Sequence, residues 1–411
     1  MTDPAREPDV PAKPLKVLYL HACPTRGGSS TSLRNLIAAF LPGTVDPLVL
    51  CPEGSAQDLF RASGIPAETL PRLPEFSNLR AKPMRGLQSL RMLFHLRRSY
   101  EPPLRQALDR FRPHLVHLND STLLHPLGVV RSQGYRTVLH ARSTLSETPR
   151  WAWTYQTDRM RREADSILAI DESVLRTLGD QPRARVVYNP VFTEPIPPSP
   201  EHVPSPEGAL RVGFVSLFHD FKGVWELLEA AKILRDRKDV AFLFAGGNGR
   251  PASFYRSPGG RLCDLLGLAP DTERRMKAFV AENRLTHVTI RGFVEDVPEL
   301  LRTVDLLAFP SRLDAIPRSV FEAGALGIPS VVALVHRVDD IVRDRINALV
   351  VPERDPQALA EAILRAAQNR PLLQALGQRA REQYREQFSA RRSAEAVLRA
   401  YASAIGAQPA V

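Results

Sequence analysis

Residues 311–327, SRLDAIPRSVFEAGALG, place two carboxylates around an Ile-Pro step between two apolar, strand-like runs. Pro317 predicts the first turn of a helix, because proline fixes a helical φ and lacks only an N–H group that this turn leaves unpaired. Gly327 marks the end of that helix. The free N–H groups from Ile316 to Ser319, together with the helix dipole, favour an anion such as a phosphate.

Glu322 and Asp314 are the two carboxylates of this segment, and a carboxylate repels a phosphate. Glu322 can instead accept hydrogen bonds from a sugar diol, as acidic residues do for ribose in nucleotide-binding folds. Asp314, in the loop before the helix, can do the same for a second polyol. A phosphate flanked by two carbohydrate rings describes a nucleotide sugar, although an ordinary capped helix with acidic residues near its start shows the same pattern.

A second candidate anion site is HDFKGVWELL, residues 219–228. Lys222 and Gly223 directly precede a helical pattern, so a mobile ammonium group and a backbone that allows close approach lie beyond the end of a strand. The alternative is a lysine that is only a solvated surface charge. Gly27 and Gly28 form a third candidate, because they open the first helix and can approach a diphosphate or an acceptor.

Two strand-like runs in the first half end in polar side chains. RTVLHARS places His140 and Arg142 at the end of one strand, and HLVHLNDST places Asn119 and Ser121 at the end of another. The carboxyl ends of parallel strands line the ligand sites of α/β folds. A lone histidine is more often structural, so a structural role for these residues stays open.

No cofactor and no metal site are predicted. The Gly27–Gly28 pair does not match G-x-G-x-x-G, and no Walker A lysine is present. No two aspartates stand at D-x-D spacing. The three cysteines, Cys23, Cys51 and Cys263, form no C-x-x-C pair, so neither a zinc site nor a disulfide framework is indicated.

These residues need a parallel α/β framework to bring them together. Strand-like runs alternate with helical patterns from KVLYLHA at residues 16–22 to PSVVAL at residues 329–334. This alternation predicts parallel sheets with helices on both faces. A chain of 411 residues exceeds what one core usually supports, so we predict two doubly wound domains that face each other across a ligand cleft.

The domain boundaries follow a proline-rich connector. Seven prolines interrupt residues 189–208, which indicates a stiff linker. We predict a first Rossmann-like domain over residues 1–190, a linker over 191–208 and a second Rossmann-like domain over 209–385. A C-terminal helix over 386–411 is predicted to pack back toward the first domain.

The net charge of +10 is uneven, with 26 Lys/Arg against 19 Asp/Glu in residues 1–200. A basic half favours anionic partners. Residues 78–112 hold nine Lys/Arg and two acids, with apolar residues at helical spacing. Such a helix either rests on an anionic membrane surface or packs half-buried with a solvated basic face. Nucleic-acid binding is not expected, because no aromatic-rich basic module is present.

The expected cellular location rests on two sequence features that are not found. The chain contains no run of about 18 apolar residues and no secretory h-region near its start. A cytoplasmic location is therefore expected, on the inner face of the plasma membrane if residues 78–112 bind lipid.

In this order, the segments resemble the family 4 retaining glycosyltransferases of the GT-B fold. The resemblance extends over most of the chain and is most specific in the second half. It is carried by GGSSTSLRNLIAAF, RPHLVHLND, TVLHAR, ADSILAIDESV, RVVYNPV, KGVWELLEAAKIL, FLFAGG, VTIRGFVEDVPELL, VDLLAFPSRLDAIPRSVFEAGALGIPSVVA and INALVVPERDPQALAEAI. It implies an acceptor-binding first domain and a second domain that binds a UDP- or GDP-sugar.

The resemblance implies roles for the residues of the segment 311–327. Glu322 would bind the ribose hydroxyls of the donor, and Ile316 to Arg318 would lie near its diphosphate or sugar. Asp314 would face the transferred sugar. The family usually has glutamate at the position of Asp314, so the shorter side chain implies a bridging water or another sugar orientation.

Three further residues match functional positions of the family. Lys222 would bind the diphosphate, His140 would contact the donor sugar near the reacting centre, and the backbone of Gly28 would approach the donor phosphate or the acceptor. The resemblance also implies retention of configuration by front-face attack, without a metal ion. The acceptor would be a glycan or a lipid-linked glycan, as in bacterial capsule or lipopolysaccharide synthesis.

One departure concerns the charge on the diphosphate. The family often has an arginine five or six residues before the lysine, where this chain has Leu217 and Ser216. Lys222 would then neutralise the diphosphate alone, or Arg312 or Arg318 would assist.

Two alternatives remain at this point. A nucleotide-sugar epimerase of the same fold is disfavoured by the carboxylate segment and the Lys-Gly step. A catalytically silent homologue that binds nucleotide sugar or glycan as a scaffold is suggested by Asp314 and the missing arginine.

Overall fold

The computed structural model describes residues 13–79, 88–190, 208–294, 296–312, 318–333 and 341–406, and for 88–97 it describes the backbone only. The chain divides into two compact units, Met1–Pro195 with Gln387–Val411, and Ile196–Glu386. The linker predicted at 191–208 lies almost wholly outside the described residues, as do Asp314, Ile316 and Pro317.

The first unit is built on a seven-stranded parallel sheet with the order β3-β2-β1-β4-β5-β6-β7. Its strands are β1 (Leu15–Leu20), β2 (Val45–Cys51), β3 (Ala67–Thr69), β4 (Leu115–Leu118), β5 (Arg136–Ala141), β6 (Ser166–Ala169) and β7 (Ala184–Val186). Its helices are α1 (Gly28–Ala38), α2 (Ser55–Ala62), α3 (Gln88–Phe111), α4 (Leu124–Ser132), α5 (Arg150–Glu163) and α6 (Glu172–Thr177). The strand order reverses between β1 and β4, which is where ligands bind in such sheets.

The second unit repeats this arrangement with a six-stranded parallel sheet in the order β10-β9-β8-β11-β12-β13. Its strands are β8 (Leu210–Val215), β9 (Val240–Ala245), β10 (Val288–Arg291), β11 (Leu306–Phe309), β12 (Ser330–Ala333) and β13 (Ala348–Val351). Its helices are α7 (Val224–Ile233), α8 (Ala252–Arg256), α9 (Pro258–Leu265), α10 (Thr272–Glu282), α11 (Val297–Leu301), α12 (Arg318–Ala325), α13 (Pro356–Gln368) and α14 (Arg370–Gln387). The reversal here lies between β8 and β11. The predicted doubly wound α/β class is confirmed for both units.

The last helix, α15 (Ala390–Ile405), packs on the sheet of the first unit. Its residues Val397, Tyr401 and Ala404 are buried in one cluster with Tyr19 of β1 and Val138 of β5. The spacing of 3 and 4 places these three side chains on one face of the helix. The chain's end therefore completes the core of the first unit.

The basic helix predicted within residues 78–112 is α3. Its described side chains Tyr100, Leu104 and Leu108 are fully buried in the core of the first unit. From Tyr100 onward the apolar face of this helix thus packs against protein. Among the described residues, no helix is long and apolar enough to cross a membrane.

Candidate functional site

Three neighbouring strands of the first unit end side by side. Leu20 of β1 pairs with Leu118 of β4, and Leu118 pairs with Leu139 of β5. Alternate residues of a strand point to the same side of a sheet, so the polar residues at these strand ends share one face. This set, called the polar seam, consists of Tyr19, His21, His117, Asn119, His140 and Arg142. All six are at most 8% exposed.

Arg142 is held at the top of the polar seam by two amide oxygens. Its Nε donates to Oδ1 of Asn119 at 2.6 Å, and its Nη1 donates to Oδ1 of Asn189 at 2.6 Å. Nδ2 of Asn119 in turn donates to Nδ1 of His21 at 2.8 Å. The structure therefore brings together Asn119 and Arg142, which the sequence had placed on separate strands.

The three histidines of the polar seam are neutral. Burial lowers the pKa of His21 and of His117 to about 3, and the nearby charge of Arg142 acts in the same direction. Burial also lowers the pKa of His140 well below its usual range. Nδ1 of His140 lies 3.2 Å from Nε2 of His117, and Nε2 of His140 is buried with no hydrogen-bond partner among the described residues. A buried polar atom without a partner costs free energy, which a hydrogen bond to a ligand would recover.

Gly27 and Gly28 lie beside the polar seam. Gly27 caps the N-terminus of α1, and Nδ2 of Asn119 is 3.5 Å from the carbonyl oxygen of Ser29. A Cβ atom built on either glycine would meet nothing within 4 Å. The protein itself therefore does not require glycine here, and the open space is available to a ligand. Ser121, by contrast, is engaged with Asp120, to which its hydroxyl donates at 3.2 Å.

In the second unit, Lys222 lies beyond the carboxyl end of β8. Its ammonium nitrogen is 5.5 Å from the ring centroid of Phe309 and 5.7 Å from that of Phe221. Burial lowers its pKa. No carboxylate in the described part of the chain forms an ion pair with it. A partly desolvated cation that lies over two aromatic rings is expected to attract an anion.

Gly223 fixes the position of Lys222. Its φ is +82°, and a Cβ atom there would lie 1.9 Å from the carbonyl oxygen of Pro310, directly after β11. The carbonyl oxygen of Phe221 also accepts a hydrogen bond of 2.9 Å from the backbone N–H of Arg312. The turn that carries Lys222 is therefore packed closely against the segment that leads to α12.

Two arginines near this turn are each bonded to a buried glutamate. Nε of Arg312 donates to Oε1 of Glu226 at 2.7 Å. Nε of Arg318 donates to Oε1 of Glu322 at 2.6 Å, and burial raises the pKa of Glu322 while Arg318 opposes that change. Both arginines were candidates to assist Lys222, and each is bonded to a glutamate here.

Ser319 lies in the first turn of α12 and is 6% exposed. Its hydroxyl oxygen is buried and makes no hydrogen bond within the described ranges. A buried hydroxyl without a partner costs free energy, so a ligand that accepts from it would be stabilised. Of the residues predicted for the donor site, Lys222, Gly223, Arg318, Ser319 and Glu322 can be located; Asp314, Ile316 and Pro317 fall outside the described residues.

Sequence reasoning missed six residues, two of which are Tyr19 and His21 of the polar seam. His117, Asn189 and Tyr401 complete the hydrogen bonding of the polar seam, and Glu226 pairs with Arg312. The i, i+2 spacing of His117 and Asn119 in HLVHLND was a usable signal, because it puts both on one face of a strand. Tyr401 is 284 residues from His117 and had no local signal.

Metal binding has no candidate in the part of the chain that the structure describes, where no three His, Cys, Asp or Glu side chains converge. A concavity of about 930 Å³ lies between α8, α9 and α10. Its Arg274 and Arg275 are both bonded to Asp264. This concavity contains none of the predicted site residues.

Two family models match the chain, one in each unit. The model described as "Glycosyl transferase 4-like domain" matches residues 27–191, and the model "Glycosyl transferases group 1" matches residues 197–383. Together they cover most of the chain.

Related proteins and structures agree with these matches. The chain is 26% identical to WcaL of Escherichia coli K12, named as a colanic acid biosynthesis glycosyltransferase, over 65% of this chain and 63% of that protein. It is 33% identical to a D-inositol 3-phosphate glycosyltransferase of Saccharomonospora viridis over 28% of this chain and 26% of that protein. The matched stretches thus span less than two thirds of either relative.

Among solved structures, HepE of Anabaena in complex with UDP and glucose has a TM-score of 0.73 at 18% sequence identity, covering 93% of this chain and 98% of HepE. This likeness shows the fold. With both family models matched in the expected order, the chain belongs to the family 4 glycosyltransferases of the GT-B fold.

Proposed function

We propose that the protein transfers a sugar from a UDP- or GDP-sugar to a hydroxyl group of a glycan or lipid-linked acceptor, with retention of configuration and without a metal ion. The observation that carries this proposal is Lys222, a half-buried cation whose pKa is lowered by its surroundings and which has no carboxylate partner in the described residues. It lies beyond the end of β8, in a turn packed against the segment that leads to Ser319 and Glu322. This combination suits a diphosphate attached to a ribose.

The second unit would bind the donor. Lys222 and the N-terminal turn of α12 would stabilise the negative charge that develops on the leaving diphosphate. The hydroxyl of Ser319 would donate to a phosphate oxygen, and Glu322 would accept from the ribose hydroxyls. Contacts of Asp314, Ile316 and Pro317 with the transferred sugar remain predictions.

The first unit would supply neutral hydrogen-bonding groups. His140 would contact the donor sugar through Nε2, and the open space at Gly27 and Gly28 would admit a phosphate or the acceptor. Arg142 and Asn119 hold each other in place, which keeps this edge of the polar seam rigid. Neutral donors and acceptors suit a ligand rich in hydroxyl groups.

In the reaction, the acceptor oxygen forms a bond to the anomeric carbon while the bond from that carbon to the diphosphate oxygen breaks. The acceptor proton passes to the departing diphosphate, on the same face of the sugar. Catalysis would then rest on positioning and on electrostatic stabilisation of the leaving group.

The relatives suggest the substrate class. WcaL is named for the biosynthesis of colanic acid, a polysaccharide, and HepE was solved with UDP and glucose. A cytoplasmic enzyme that extends a surface glycan is consistent with both. Attachment to the inner membrane surface through residues 78–112 stays a prediction. Because Tyr100, Leu104 and Leu108 are used in the core, the apolar face of α3 from Tyr100 onward would not contact lipid, whereas the partly exposed Arg105 and the exposed Arg110 would face an anionic surface.

A thermal-shift screen against UDP, GDP, ADP and their common sugar conjugates tests the donor site, since a ligand that binds only the native state raises the melting temperature. We expect a shift with one nucleotide that is lost in Glu322→Ala and weakened in Lys222→Ala. The absence of any shift in folded protein would contradict the donor site. Binding without transfer or hydrolysis would support the silent scaffold instead.

A further inference from the structure

A chain of buried hydrogen bonds links the last helix of the protein to His140. The hydroxyl oxygen of Tyr401 in α15 is 2.7 Å from Nδ1 of His117. Nε2 of His117 is 3.2 Å from Nδ1 of His140. The hydroxyl of Tyr19 lies 3.2 Å from that of Tyr401. Each of the four side chains is at most 2% exposed, so water does not compete for these bonds.

Arg142 decides which nitrogen of His140 carries the proton. Nη2 of Arg142 is 3.4 Å from Nδ1 of His140, the same nitrogen that faces His117. A guanidinium group has only donors, so a proton on Nδ1 would point toward a cation in a site without water. Nδ1 of His140 therefore accepts, and its proton is on Nε2.

The same argument, applied next to His117, assigns the hydrogen bond between His117 and Tyr401. If Nδ1 of His140 accepts, then the Nε2–H of His117 is the donor to it. A neutral imidazole carries one proton, so Nδ1 of His117 must accept, and the hydroxyl of Tyr401 at 2.7 Å is the donor within reach. Tyr401 has one hydroxyl proton, and the contact with His117 at 2.7 Å takes it in preference to the longer contact with the hydroxyl of Tyr19 at 3.2 Å. Without Tyr401, this Nδ1 would be a buried acceptor with no partner.

We propose that Tyr401 is a positioning residue for His140. Its hydroxyl holds His117 as the Nε2–H tautomer, and the Nε2–H of His117 then fixes the orientation of the His140 ring, whose tautomer Arg142 sets. The Nε2–H group of His140 is buried and has no partner among the described residues, so it is the donor that a ligand oxygen would satisfy. Its use on a donor sugar rests on the proposed function, whereas the tautomer itself does not.

Through Tyr401, the C-terminal helix contributes a hydrogen bond to the site in addition to its packing in the core. Phe40 already contacts the ring of Tyr401, with centroids 6.3 Å apart, and a phenylalanine would fill the same space. The hydroxyl group is the part of Tyr401 that reaches His117. The substitution Tyr401→Phe therefore separates the hydrogen bond from the packing.

Long-range proton–nitrogen NMR spectra of the full chain, labelled with nitrogen-15 in histidine, test the tautomer without any substrate. We expect His117 and His140 to be neutral with the proton on Nε2 between pH 6 and 8. In Tyr401→Phe, we expect His117 to become a mixture of the two tautomers, whereas His140 keeps its proton on Nε2 because Arg142 is still present. Val397→Ala, a core substitution in the same helix, should leave both histidines unchanged. A proton on Nδ1 of His140, or unchanged spectra in Tyr401→Phe, would overturn the proposal.

Kinetics of donor hydrolysis or transfer test the consequence. Tyr401→Phe should lower kcat about 10-fold with a nearly unchanged KM, because misplacement of a reacting group is costly. Val397→Ala should leave kcat unchanged. In a His140→Ala background, Tyr401→Phe should have no further effect; an equal loss in that background would show that Tyr401 does not act through His140. If the wild-type protein has no activity, the proposed function fails, and the NMR result still decides the tautomer.

Discussion

The two units of this protein use the same edge of the same kind of sheet for opposite electrostatic purposes. In the first unit, the strand ends carry buried neutral histidines and amides around one arginine whose charge faces amide oxygens. In the second unit, the equivalent edge carries a half-buried lysine with no carboxylate partner in the described ranges, and two arginine–glutamate pairs follow β8 and β11. The doubly wound sheet thus supplies the place, and the side chains decide whether a hydroxyl-rich or an anionic ligand binds there.

The free-energy cost of burying a charge explains why the two units are expected to bind different kinds of ligand. Partial burial of a charge without a partner is unfavourable, so an anionic ligand beside Lys222 would recover part of that free energy. Arg142 is also buried, but its donors are used on Asn119 and Asn189 and on the contact with His140. We therefore expect substitutions in the second unit to affect anion binding, and those in the first unit to affect positioning.

The largest effect is expected for Lys222→Met, which removes the ammonium group and keeps a flexible chain between Phe221 and Phe309. By analogy with the loss of one stabilising donor in other active sites, the rate of transfer or donor hydrolysis should fall about 100- to 1000-fold. Lys232→Met is the matched control, because Lys232 lies on α7 in an exposed pair with Glu229. Equal rates in Lys222→Met and wild type would remove the electrostatic contrast between the two units.

Gly223→Ala should destabilise the second unit by about 3 kcal/mol, because a positive φ and a 1.9 Å approach to the carbonyl of Pro310 both exclude a side chain. Gly28→Ala in the first unit should leave stability nearly unchanged, since a Cβ there meets nothing within 4 Å. Melting temperatures of both variants measure this difference. If Gly28→Ala also binds ligand as the wild type does, the open space beside α1 is not part of the site.

The neutral histidines of the first unit predict a loss of stability in acid. Each has a folded-state pKa below its unfolded value of about 6.5, so the unfolded chain binds more protons as the pH falls. Stability is fully present above pH 6.5 and is lost below it, by about 1.4 kcal/mol per histidine between pH 7.5 and 5.5. Asp120, whose pKa burial raises to about 6, opposes part of this loss by binding a proton in the folded state.

Urea unfolding followed by tryptophan fluorescence measures this loss in the first unit alone if Trp225 of the second unit is replaced by phenylalanine, which leaves Trp151 and Trp153 in α5. His21→Gln in that background should reduce the loss between pH 7.5 and 5.5 by about 1.4 kcal/mol. A loss that is the same with and without His21 would show that this histidine is not held neutral.

A smaller effect is expected for Glu322→Gln, which keeps the shape of the side chain but removes its charge. The affinity for the binding nucleotide should fall about 5- to 10-fold, because a charged acceptor bonds a diol more strongly than a neutral one. Glu273→Gln, in an exposed pair with Lys277 on α10, is the control. Calorimetric titration of the nucleotide compares the two. An unchanged affinity in Glu322→Gln would assign Glu322 to the structural pair with Arg318 only.

The sequence predicted the parallel α/β class because strand and helix periods alternate along the whole chain, and local patterns suffice for that. It also identified Lys222, Gly223, Ser319 and Glu322 as candidates. Each of them lies just after a strand or in the short helix that follows one, so residues close in sequence are also close in space. The doubly wound sheets and the family are confirmed, whereas the roles of these residues remain predictions.

The hydrogen-bond partners could not be predicted in the same way. Tyr401 meets His117 only because α15 returns to the first sheet, and Arg312 meets Glu226 only because β8 and β11 are adjacent. Such pairings depend on the strand order, which no local pattern determines. The same is true of Asn189, which bonds Arg142 across 47 residues.

The most direct test of glycosyl transfer uses water as the acceptor. The full chain is incubated with the nucleotide sugar that it binds, in the presence of EDTA, and proton NMR follows the free sugar as it forms. We expect slow release of nucleoside diphosphate and of a sugar that first carries the anomeric configuration of the donor, with the rate of release about 100- to 1000-fold lower in Lys222→Met. Binding without any release would contradict catalysis, and a sugar of inverted configuration would contradict retention.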